Sequence, residues 1–160
     1  MSAQKKVDEQ FLRLSMEHTL IYDYIHMFEK MLCESSSKIS LQKLPDTLKK
    51  FKKDLLDHFN LEERVLFPAA LSCLYSLEIV DTVLLAQKEH GYFERDLDLI
   101  LGIMKKKSSK SAQSDDLYER LKVFTQHLKN HAIIEMESVF RPMDESRKCS
   151  RLLKGFIIPS

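Results

Sequence analysis

The sequence predicts an all-α protein: an antiparallel, up-down-up-down four-helix bundle with a short C-terminal extension. Three observations carry that expectation. The 160 residues include only 3 Gly and 4 Pro, so few breakers interrupt long helices. Four segments repeat apolar residues at alternating steps of three and four, which lines one face of a helix. Small polar stretches separate the segments, and short connections let each helix fold back on the one before it.

The first helix has the seam Phe11, Leu14, His18, Ile21, Ile25, Phe28 and Leu32. "ESSSKIS" (34–40) is small and polar and reads as a loop. Pro45 is expected in the first turn of the second helix, where a missing N–H costs little. That helix continues through Leu44, Leu48, Phe51, Leu55, His58, Glu62 and Val65, and Pro68 ends or breaks it. The third seam is Ile79, Val83, Ala86, His90, Phe93, Leu97, Ile100 and Met104. "KKKSSKSAQS" (105–114) reads as a second loop. Asp116 with Glu119 resembles a capping box for the fourth helix. Its seam is Leu117, Leu121, Phe124, Leu128, His131 and Glu135, and Pro142 closes it. The expected organisation is one domain over 1–160, with its core at about 8–142 and a tail at 143–160 whose end, "SRKCSRLLKGFIIPS", packs over one side.

Composition narrows the function. Apolar residues make up 44 % and charged residues 31 %, with a net charge of +1, so no strong field attracts nucleic acid or an acidic membrane. "KKFKK" (49–53) and "KKKSSK" (105–110) read as solvated faces, because Phe51 itself lies on the seam. No stretch is apolar enough to span a bilayer, and the polar start lacks the apolar stretch of a signal peptide, so a cytoplasmic location is expected. Cys33, Cys73 and Cys149 form neither a CxxC nor a disulfide framework, and reduced thiols are expected.

The seams are not purely apolar. "HFNLEERVLFP" (58–68) puts His58 and Glu62 one helical turn apart on the side that should be dry. His18, His90 and the pair His131 and Glu135 interrupt the other three seams near their middles. Helices that run antiparallel can bring such positions to one level. Burying two carboxylates and four imidazoles uncompensated costs several kcal/mol per charge, against a net stability of about 5–15 kcal/mol for a domain. A metal cation resolves this, because neutral imidazole and carboxylate are natural ligands. Six protein ligands exceed what one ion with an open position needs, whereas two ions bridged by the carboxylates use them all. Mixed nitrogen and oxygen donors suit iron, with manganese or zinc as competitors. No Gly-rich phosphate loop, nucleophilic serine elbow or Cys–His motif accompanies the cluster.

At "HFNLE" (58–62) and "HAIIE" (131–135), each followed by an aromatic five residues after the Glu, with single histidines on the alternate helices, the sequence resembles the hemerythrin-like, or HHE cation-binding, family. The resemblance covers roughly residues 8 to 142. It implies a four-helix bundle around a non-haem centre of two iron ions with an oxo or hydroxo bridge. Carried over, the metal ligands are His18, His58, Glu62, His90, His131 and Glu135. Glu94 stands at the family's seventh-ligand position, where oxygen carriers have a histidine, and it is a further candidate. Met136 stands where those carriers have an aspartate. The extra carboxylate character favours the ferric state over easy release of dioxygen. The resemblance therefore implies binding or sensing of a diatomic ligand, O2 or NO, or handling of iron. The alternative is a redox enzyme acting on peroxide or NO, or in iron–sulfur cluster repair. A third reading is a structural bundle with remnant polar groups. No nucleic-acid or membrane partner is expected, and a protein partner is not specified. His26 and His127 flank the seams, with His127 better placed to support a ligand than to be one. Tyr22, one turn after His18, could face the centre or pack at the boundary.

Overall fold

The computed structural model describes residues 3–33, 40–105, 112–146 and 149, and among these every regular element is helical. The elements are α1 (Ala3–Cys33), α2 (Ser40–Leu61), α3 (Phe67–Cys73), α4 (Leu77–Lys105), α5 (Ala112–Glu135) and α6 (Arg141–Glu145). Two π-helical turns splice these elements: Glu62–Leu66 joins α2 to α3, and Met136–Phe140 joins α5 to α6. Residues 40–73 and 112–145 are thus two continuous rods, each widened once. The parts of the expected loops at 34–39 and 106–111, and most of the tail beyond Ser146, lie outside the described residues.

The rods form a helical bundle in which α1 packs on α2 and α5, and α4 packs on α2 and α5. Two hydrophobic clusters fill it. The first combines Ile21, Ile25 and Phe28 of α1 with Leu48, Phe51 and Leu55 of α2, Phe93 and Leu97 of α4, and Leu121 and Phe124 of α5. Each long helix sends at least one phenyl ring into it, and four of the rings meet edge to face: Phe28–Phe51 at 5.1 Å, Phe51–Phe124 at 6.1 Å, Phe93–Phe124 at 5.7 Å. The second gathers Leu14, Leu66, Phe67, Ala70, Val83, Ala86, Val139 and Met143. Along α1 and α4 the chain runs from the second cluster to the first. Along 40–73 and 112–145 it runs from the first to the second. The polar interruptions of all four seams lie between the two clusters.

The expected seams of α4 and α5 are buried at every position. Val65 is not: it is half-buried, and Leu66 takes the core place. A π turn holds one residue more than an α turn, so the buried position slips by one. Proline supplies a cause. Pro68 has no N–H to bond to the carbonyl four residues back, and its ring crowds that carbonyl. The π register is seen directly in the bonds Phe67 N–H to Glu62 O and Arg141 N–H to Met136 O.

Other expectations need correction. α2 begins at Ser40, so Pro45 sits inside the helix and not in its first turn. α5 begins at Ala112, so Asp116 is interior and accepts a hydrogen bond from Arg120 Nε at 3.2 Å instead of capping. Pro142 does not close its rod, since α6 runs on to Glu145 with the proline near its start, where proline is tolerated. A cap not foreseen starts α4: Ser76 Oγ accepts the Ile79 N–H at 3.2 Å. Cys73 and Cys149 are joined by a disulfide, against the expectation of reduced thiols, and Cys33 is free and exposed. The cysteines are 76 residues apart, and only the packing of the second cluster brings them together. Among the described residues no helix is long and apolar enough to cross a membrane.

Candidate metal centre

Between the two clusters, His18, His58, Glu62, His90, His131 and Glu135 are all buried, each at 5 % exposure or less. They form two groups whose possible donor atoms lie within 4.8 Å of one another: His18, His58, Glu62 and Glu135, and Glu62, His90, His131 and Glu135. Glu62 and Glu135 belong to both. Each sits at the mouth of a π turn, Glu62 as its first residue and Glu135 as its N-terminal flank.

The inward nitrogen of every imidazole is Nε2. His18 Nε2 and His58 Nε2 lie 2.9 and 2.7 Å from Glu62 Oε1. His90 Nε2 lies 3.4 Å from Glu62 Oε2, and His131 Nε2 lies 3.6 Å from Glu135 Oε2. Three of the four outward nitrogens face a second set of carboxylates. His90 Nδ1 donates to Glu63 at 2.8 Å, His131 Nδ1 donates to Glu89 at 2.8 Å, and His58 Nδ1 is 3.5 Å from Glu17. Such outer carboxylates fix the tautomer and orientation of a ligating imidazole. Aromatic rings frame the layer: Phe59 stacks on His90 with centroids 3.8 Å apart, and Phe140 meets His18 edge-on at 4.5 Å.

Electrostatics separate the two shared carboxylates. Burial pushes Glu62 up, but hydrogen bonds from His18 and His58 outweigh it and hold its carboxyl well below the usual range. Burial, and then repulsion by the neighbouring Glu62, push Glu135 well above it. The two adjoining carboxylates therefore resist being ionised together in the metal-free protein, and Glu135 is the one that holds a proton more firmly. Burial also lowers His90, to about 4, so it is neutral at physiological pH. The hydrogen bond from His131 lowers Glu89 despite its partial burial, with His127 adding to it.

The donor set fits metal cations. Among the described residues, His90 Nε2 and His131 Nε2 are buried without any hydrogen-bond partner, and Glu62 Oε2 and Glu135 Oε1 are buried with none outside their own pair. Leaving such atoms unsatisfied costs about 1–3 kcal/mol each, and a cation between them would satisfy all four. Neutral imidazole with carboxylate is the ligand chemistry of first-row divalent metals. Beside the layer a cavity of about 10 Å³ touches His18, Tyr22, His58, Phe59, His131 and Glu135. That is room for one molecule the size of water.

Of the seven residues singled out from sequence, Glu94 alone does not join the groups. Its side chain is exposed, because Phe93 holds the buried position at that turn of α4. His26 is exposed and pairs with Glu29 at 3.3 Å, and His127 bonds to Glu89 at 3.1 Å. Three further participants are Glu17 and Glu89, which the sequence reading missed, and Glu63, which follows Glu62 off the seam and reads as solvated in sequence but meets His90 Nδ1. Each adjoins a core residue of the layer in sequence (Glu17–His18, Glu62–Glu63, Glu89–His90), which turns it off its own seam and toward an imidazole of the next helix.

A family model described as the Hemerythrin HHE cation binding domain matches residues 12–143. Neither the curated proteins nor the solved structures compared with the chain give a match.

Proposed function

The chain belongs to the Hemerythrin HHE cation-binding domain family, and on that premise we propose that it holds two iron ions, joined by an oxo or hydroxo bridge, and binds or senses O2 or NO there or handles the iron itself. One observation carries this reading: the two four-residue groups that share Glu62 and Glu135. His18 and His58 would serve one ion, His90 and His131 the other, with both carboxylates reaching across. Glu94 is left out of the set by its exposure. Manganese and zinc accept the same donors and are the competitors. An antiparallel up-down-up-down bundle within a single domain accounts for the alternating order in which successive rods pass the two clusters.

Such a pair of ions supplies one-electron redox steps and an open coordination position for a diatomic. The protein's own residues do the rest. Glu17, Glu63 and Glu89 orient imidazoles, and Phe59 and Phe140 keep the layer dry. The cavity admits only a very small molecule beside His18 and His58. Tyr22 keeps its phenolic proton there, since burial and then the charges of Glu135 and Glu137 raise its pKa. That proton donor at the cavity supports the second reading, a redox enzyme consuming peroxide or NO.

Elemental analysis with an absorption spectrum of freshly purified protein tests the proposal. Expected are about two irons per chain and near-ultraviolet charge-transfer bands. A metal-free protein whose melting temperature ignores added iron would leave the buried groups as structural remnants. Catalytic consumption of oxidant by the reduced protein separates the enzyme from the binding module.

A further inference from the structure

The two halves of the centre are not equivalent. At His90 and His131 the outward Nδ1 atoms face Glu63 and Glu89, both at 2.8 Å. An ionised carboxylate only accepts, so each Nδ1 carries the proton and each Nε2 presents a lone pair inward. Among the described residues those two Nε2 atoms have no hydrogen-bond partner, and Glu62 Oε2 and Glu135 Oε1 beside them have no partner outside that pair. The two imidazoles of this half are already in their ligating tautomer.

The other half is arranged the opposite way. His18 Nε2 and His58 Nε2 both lie within hydrogen-bond distance of the same oxygen, Glu62 Oε1, at 2.9 and 2.7 Å. The protons are then on the inward nitrogens, and the outward Nδ1 atoms of both rings are buried without partners. To ligate, each ring must move its proton from Nε2 to Nδ1 and give up its bond to Glu62. For His58 a carboxylate waits nearby, since Glu17 Oε2 is 3.5 Å from Nδ1 and itself unpartnered. For His18 no hydrogen-bond acceptor among the described residues reaches Nδ1, and the Phe140 ring packs against the imidazole instead.

We infer that the two metal positions fill in order: the His90/His131 position first, set up by Glu63 and Glu89, and the His18/His58 position second and exchangeably, with Glu17 as its one outer carboxylate among the described residues. This rests on the two-metal reading above and adds the unequal affinities and three positioning residues.

Anaerobic titration of the metal-free full chain with Co(II), followed by visible absorption and equilibrium dialysis, tests the order. Two steps differing at least tenfold in affinity are expected. Glu89→Gln and Glu63→Gln should each weaken the first step by about 10–100-fold, as loss of an outer carboxylate does elsewhere. Glu17→Gln should weaken the second step and spare the first. Nitrogen-15 NMR of the unaltered metal-free protein gives a readout independent of any variant: protons on Nδ1 of His90 and His131, and on Nε2 of His18 and His58. After one equivalent of metal, only the His90 and His131 signals should move. Two equal steps, the same tautomer in all four rings, or a first step sensitive to Glu17→Gln but not to Glu89→Gln would overturn the order while leaving the two-metal centre standing. A chain that binds no Co(II) at all would overturn the centre, and the order with it.

Discussion

At the scale of single residues, Glu62 concentrates the problem that the centre solves. It has no exposed surface and is shared by both groups. Its negative charge is tolerated in the metal-free protein because two imidazole N–H groups point at one of its oxygens. Glu62→Gln keeps the shape but removes the charge, and it should drop bound metal from about two ions to fewer than one per chain, read by elemental analysis. Glu135 behaves differently. Its pKa is raised by burial and by Glu62, so metal would compete with a proton for this carboxyl. Loading should therefore release protons, and affinity should fall as pH falls, because the carboxyl is then held more firmly protonated. Dye-monitored proton release in weak buffer checks this, and no release would contradict it. His90 adds nothing to that release, since at about 4 its pKa leaves it neutral. The six central residues were legible in sequence because a polar side chain on an apolar seam is conspicuous. Glu17, Glu63 and Glu89 were not, because their role depends on which neighbouring helix they face. Glu94 was suggested by its place in a family pattern, and the spacing that puts Phe93 inside also puts Glu94 outside.

At the scale of elements, the two π turns share one setting. Both occur immediately at a shared carboxylate, and both precede a proline by a few residues: Glu62–Leu66 before Pro68, Met136–Phe140 before Pro142. A regular helix presents one face at a period of 3.6 residues, and the seams read that period correctly until Glu62. Beyond it the extra residue rotates the rod, which is why Leu66 and not Val65 enters the second cluster. The sequence carries the cause, Pro68, but periodicity alone does not reveal whether a helix stops, kinks or widens there. Pro68 is exposed, so replacing it removes little packing. Pro68→Ala restores an N–H that can bond to the Arg64 carbonyl and draw the turn toward the α register. The expected result is unchanged helix content by circular dichroism with metal affinity reduced about tenfold, of the order seen when ligand support is lost. Unchanged affinity would mean that packing of Leu66 and Phe67 holds the turn without the proline.

At the scale of the whole molecule, the polar layer is held from both ends by apolar clusters, and the Cys73–Cys149 disulfide lies in the second of them. It closes a loop of 76 residues that contains α4 and α5, hence His90, His131 and Glu135, while His18, His58 and Glu62 lie outside it. Nothing in the cysteine spacing announces this pairing, because only the assembled bundle brings the two thiols together. Constraining so long a loop lowers the entropy of the unfolded chain by up to about 4.5 kcal/mol in free-energy terms. For a chain of this size that corresponds to a loss of roughly 10 °C or more in melting temperature on reduction. Metal adds a separate contribution, about 2.7 kcal/mol when free metal is a hundredfold above its dissociation constant. The disulfide acts through the unfolded state, whereas the ions act by binding the folded one, so the two effects should be nearly additive. Melting temperatures of four samples decide the matter: with and without a chelator, for the native chain and for Cys73→Ser/Cys149→Ser. If the double variant also loses metal affinity, the disulfide is holding the His90/His131 half in place. If it loses stability alone, the two clusters suffice to keep the donor atoms together without the covalent link.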